Sequence, residues 1–91
     1  MAKNFRISSR RKNNTLHMKL SGDFDGMSAM ELIYALKDRI GAAEKIYIDT
    51  SDLSSLLPFG RVVFQKNFDL SPQASEKLVF IGEYGSEIFS F

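Results

Sequence analysis

Apolar and polar residues alternate along the first twenty positions and then give way to helical spacing, a succession that predicts strands followed by a helix. Phe5 and Ile7 alternate with Arg6 and Ser8, the two-residue period of a half-buried strand. The six polar residues from Ser9 to Asn14, ending in Asn13 and Asn14, read as a hairpin loop. From Thr15 the alternation resumes, with Leu16, Met18 and Leu20 on one face and Thr15, His17 and Lys19 on the other. Two antiparallel strands are therefore expected.

A turn from Ser21 to Gly26 leads to Ser28-Ala29-Met30-Glu31, the pattern of a capping box in which Ser28 and Glu31 satisfy orphan amides reciprocally. Ala29, Leu32, Ile33, Leu36 and Ile40 then recur at helical spacing, so one face of this helix packs on the sheet. Gly41 suits a left-handed C-cap. Ile46 and Ile48 flank Tyr47 in a short strand ending at Asp49, and its place after a helix favours a parallel crossover. The serine-rich stretch from Ser51 to Leu57 reads as a turn. Pro58 opens a second helix, with Phe59, Val62, Val63 and Phe64 as its buried side and Ser71-Pro72 as its stop. Leu78 to Ile81 reads as a strand covered on both faces. The remaining residues hold a short helix, with Phe89 and Phe91 closing the core. The sum is an α/β domain over residues 1–91: a mixed β-sheet of about four strands, two main helices on one face and a short C-terminal helix.

Composition narrows the function more than the fold. With 44% hydrophobic and 25% charged residues the chain is ordinary globular protein, and 91 residues support one small core. Zero cysteines exclude disulfides, thiolate metal sites and cysteine nucleophiles, and a single histidine makes structural zinc untenable. No apolar run approaches the ~20 residues that span a bilayer, so no membrane insertion and a cytoplasmic location are expected. A net charge of +1 implies no global attraction to nucleic acid. The basic cluster Arg10, Arg11 and Lys12, near Arg6, lacks interleaved aromatics, so it reads as a solvated hairpin tip and no nucleic-acid partner is expected.

Two segments carry a resemblance. Gly22, Asp23, Phe24, Asp25, Gly26, Met27, Ser28 and Ala29, with Leu32 following, match the G-x-x-D-x-x-[ST]-A run that enters the first helix of the STAS domain. This is the fold of the anti-sigma factor antagonists of bacterial partner-switching pathways. The second signature of that family runs from a strand-ending aspartate to an Asp-Ser-x-Gly element whose serine is phosphorylated. Aligned from Asp49, this chain has Leu57 where the element has its aspartate, Pro58 in place of the serine, and Gly60 on the glycine. The resemblance covers roughly residues 5–82 and implies the family's sheet and first two helices.

The candidate chemistry is sparse. Asp23, Asp25, Asp49 and Asp52 flank the two signature loops, where carboxylates serve turns and caps; no metal and no cofactor are expected. Ser54 and Ser55 are the remaining phosphorylation candidates, since a helix N-terminus tolerates an added phosphate and Pro58 removes the family's acceptor. His17 has no acid or nucleophile near it in sequence, and no catalytic constellation assembles, so an enzyme is not expected. The resemblance implies a regulatory protein-interaction module. Asp23, Asp25, Ser54, Ser55, Pro58, Phe59, Gly60 and Arg61 would dock an anti-sigma factor or serine-kinase-like regulator without the phosphorylation switch. The alternatives are a STAS-like subunit of a transporter or signalling assembly, and a small-ligand or nucleotide-binding domain using the helix end at Gly60. The short C-terminal helix leaves surface uncovered, which makes a homodimer a further expectation.

Overall fold

The computed structural model describes residues 4–68 and 72–88. Its elements run β1 (Arg6–Lys12), β2 (Thr15–Phe24), α1 (Gly26–Arg39), β3 (Lys45–Leu56), α2 (Pro58–Asn67), α3 (Pro72–Ser75), β4 (Leu78–Ile81) and α4 (Gly85–Ile88). The strands lie side by side in chain order; β1 is antiparallel to β2, while β2–β3 and β3–β4 are parallel. Both parallel crossovers step across the sheet in one direction, so right-handed connections set α1 and α2 on the same face. The expected mixed sheet with two main helices on one face is what forms.

Alternation decides which sheet face is covered. Leu16, Met18, Leu20 and Phe24 of β2 and Ile46 and Ile48 of β3 are buried under the helices. From α1 they meet Ala29, Leu32, Ile33 and Leu36, the predicted stripe, with Ile40 packed at its margin. Phe64 of α2 lies edge-on to Phe24 (6.4 Å between ring centroids) and Phe80 (5.9 Å), and stacks on Phe68 (4.8 Å). Ile88 of α4 is fully buried, so the short C-terminal helix contributes to the core. Phe89 and Phe91, expected to close the core, and Ser71, expected at the helix stop, lie outside the described residues.

Several boundaries differ from the pattern-based reading. The hairpin loop shrinks from six residues to Asn13-Asn14, because Asn13 adopts the left-handed backbone (φ 56°) that a tight turn needs and Arg10, Arg11 and Lys12 pair with His17, Leu16 and Thr15. β2 continues through the expected turn to Phe24, and β3 continues through the expected serine-rich turn to Leu56, each extended by pairing with the other. Polar residues survive in these strands because only one sheet face is covered. Gly41 is not a left-handed cap: α1 passes through Ile40 in right-handed conformation into a 3-10 turn, Ile40–Ala42. β4 is an edge strand whose Ile81 is exposed, so it is not covered on both faces. The short α3 between α2 and β4 carries no apolar periodicity by which it could be predicted.

Candidate functional site: the shared end of β2, β3 and the two main helices

The two signature segments converge. At the end of β2, Asp25 is the N-cap of α1, its Oδ1 accepting from the Ser28 amide at 2.9 Å. Ser28, expected to be the cap, is instead buried in the first turn, where its hydroxyl donates to the Asp23 carbonyl (2.7 Å) and to Asp25 Oδ1 (3.0 Å). Asp25 can cap from one turn earlier because β2 ends only at Phe24; the capping box with Glu31 does not form. The Ser28 amide holds the Asp25 carboxyl below its ordinary range; partial burial opposes this and the Ser28 hydroxyl adds to it.

β3 enters the site through two irregularities. Its register against β2 slips between Lys19↔Asp49 and Ser21↔Asp52, and again between Gly22↔Leu53 and Asp23↔Ser55. The second slip leaves Ser54 without a β2 partner, as the extra residue of a bulge, and exposed. Ser55 is half-buried and donates to Asp23 Oδ1 at 2.7 Å. Neither serine lies at the helix end: strand pairing carries the chain to Leu56, so the expected turn is part of the sheet. Leu57 is the N-cap of α2 and Pro58 its first residue, as its fixed φ and missing N–H allow.

Gly60 explains how α2 is oriented. A Cβ here would lie 2.4 Å from the Phe24 carbonyl oxygen and 2.9 Å from Asp25 backbone atoms, so only glycine lets the helix approach this closely. Gly60 and Phe64, one turn apart, therefore form the buried stripe. Phe59 and Val62, expected inside, are turned outward at 69% and 44% exposure. Phe59 lies against Gly26, where an added Cβ would meet its ring at 2.9 Å, and the next residue of α1, Met27, is exposed too. With Leu57 these side chains make an apolar surface over the starts of both helices. Pro58 and Arg61 are exposed beside it, whereas Gly60 is buried and Asp23 and Asp25 are half-buried and hydrogen-bonded.

Met27, Leu57 and Val62 are not legible as surface from the sequence. The signal lies in α2: Phe59, Val62, Val63 and Phe64 span more of the circumference than one buried face accommodates, and the glycine fixes which part turns inward.

The four carboxylates have local partners. Asp49 accepts from the amide of Ser51 at 2.9 Å and from its hydroxyl, and these bonds, the hydroxyl first, lower its pKa against the opposing effect of burial; Lys19 adds to the lowering. Asp52 pairs with Lys19 at 3.3 Å, both half-exposed. Among the described residues no three His, Asp or Glu side chains converge as a metal site, and no helix is long and apolar enough to cross a membrane.

Solved structures match this arrangement. The anti-sigma factor antagonist SpoIIAA in its unphosphorylated form superposes with a TM-score of 0.60 at 16% identity, over 96% of this chain and 82% of that one. The chain has a STAS-like fold. An uncharacterized DUF3478-family protein with a SpoIIAA-like fold from Shewanella loihica matches this STAS-like domain at a TM-score of 0.55 and 15% identity, covering 87% of this chain and 66% of that one. A native-form structure of Mglu matches at 0.65 and 11% identity over 81% of this chain; the chain spans only 23% of the length of Mglu. No protein-family model matches the sequence, and no curated protein matches it.

Proposed function

We propose that this STAS-like domain is a non-catalytic protein-interaction module that docks a regulator through the shared helix end, as an anti-sigma factor antagonist does. The observation that carries the reading is the apolar surface of Met27, Leu57, Phe59 and Val62. It lies at the end where the resemblance places docking, and large apolar side chains held exposed together mark interaction sites. Asp25 and Arg61 supply its polar margin, Pro58 is exposed beside them, and Ser54 is exposed on the β3 bulge nearby.

Docking here is independent of phosphorylation. Pro58 offers no hydroxyl where the family has its serine. A phosphate on Ser55 would break the hydrogen bond to Asp23 and set nearly two charges against that carboxylate. Incubation with an anti-sigma-factor-type serine kinase and ATP, followed by intact-mass measurement, is expected to show the unmodified mass. Stoichiometric phosphate on Ser54 or Ser55 would overturn this.

A second reading, a STAS-like part of a larger assembly, draws on Mglu, where the matched region is a fraction of a longer chain. The nucleotide reading at Gly60 is less favoured, because the Phe24 carbonyl faces this residue and opposes an anion there.

A further inference from the structure

The uncovered sheet face, opposite the helices and remote from the docking surface, has a composition that the sequence order conceals. Paired residues share a face, so the registers define rows across the sheet about 7 Å apart. Lys12, Thr15 and Lys45 form one row; Arg10, His17, Tyr47 and Val79 form the next. Arg11 projects to the other side, where it donates to the Ala42 carbonyl at 2.9 Å, so of the three exposed cations beside the hairpin turn Arg10 and Lys12 share the open face. The His17 and Tyr47 rings stack at 5.0 Å between centroids, 17° from parallel, with His17 exposed.

In these two rows three cations surround the stacked pair and no carboxylate is present. The next row holds Lys19 and Asp49, and Asp49 is already engaged by Ser51. A hollow of about 500 Å³ opens over this area, with Arg10, Lys12, His17, Lys19 and Tyr47 in its lining and Asp49 and Ile81 at one side. Along the sequence the basic cluster has no interleaved aromatics. Strand pairing supplies them from β2 and β3.

We infer that this face binds single-stranded nucleic acid without strong sequence preference, a base stacking on the Tyr47–His17 pair and phosphates meeting Arg10, Lys12 and Lys45. Charge complementarity and stacking are the two elements of such recognition, and an open sheet presents both to an unpaired strand. A duplex hides its base faces and gains only the cations.

The test is fluorescence anisotropy of the 91-residue chain with a labelled oligo(dT) of about twelve nucleotides, titrated at several salt concentrations. Three phosphate contacts predict a slope of log K against log salt of about −2, and Arg10→Glu should weaken binding and flatten that slope by about 0.7 or more. Tyr47→Ala should weaken binding roughly fivefold to a hundredfold, while Tyr47→Phe, which keeps the ring and checks the fold, should stay near wild type. Lys37→Ala on the helix face should change nothing. The inference is overturned by no anisotropy change at low salt, by Tyr47→Ala binding as tightly as wild type, or by free thymidine monophosphate competing as well as the oligonucleotide.

Discussion

Asp25 links the strand end to the first helix, and its chemistry sets a measurable pH dependence. Its carboxylate accepts the Ser28 amide in place of the intrahelical partner that amide lacks, so Asp25→Ala should cost about 1 kcal/mol in denaturant unfolding at neutral pH. Asp25→Asn should cost less, because an amide oxygen also caps. The folded pKa is depressed, so the charge-dependent advantage of the wild type over Asp25→Asn is fully present above the unfolded carboxyl value of about 3.9. It should disappear as pH falls through the lower folded value. An advantage that instead grew on acidification would show that the ionised carboxylate does not stabilise α1.

At the scale of elements, the rotation of α2 decides what the domain shows to a partner. Burial of Gly60 and Phe64 predicts that Phe64→Ala, which empties a site between Phe24, Phe68 and Phe80, costs about 3–5 kcal/mol. Phe59→Ala, on the exposed side, should fall within about 0.5 kcal/mol of wild type. Urea unfolding of the two variants distinguishes this phase from the one in which Phe59 is buried. The apolar residues of α2 could not settle the phase, because four of them compete for one narrow face. The backbone approach at Gly60 settles it, and that contact is with β2, far away in sequence. The stripe of α1 was legible because Ala29, Leu32, Ile33 and Leu36 fill a single face with no rival. Strand ends were least legible: Gly22-Asp23 and Ser51-Asp52 have turn composition, yet pairing of β2 with β3 on a one-sided sheet carries the strands through them, with Gly22 at a φ of 88° and Ser51 in the first register slip.

For the molecule as a whole, the order of strands and helices was readable from periodicity, and the two signature segments gave the site its place. What the sequence order concealed was lateral. The stack of His17 on Tyr47 and the seat of Phe59 against Gly26 each join residues about thirty positions apart, and each gives one surface its character. The sheet consequently separates two surfaces, an apolar one at the helix starts and a basic aromatic one on the open face. Docking on the first of these is the proposed function. It is tested most directly by isothermal titration of the wild type and Phe59→Glu against an anti-sigma-factor-type serine kinase, with Tyr34→Glu, exposed on α1, as the control. Saturable binding by wild type and Tyr34→Glu, weakened about 30-fold or more by Phe59→Glu, is the predicted result. Equal binding by wild type and Phe59→Glu, or no binding by the wild type, would contradict it.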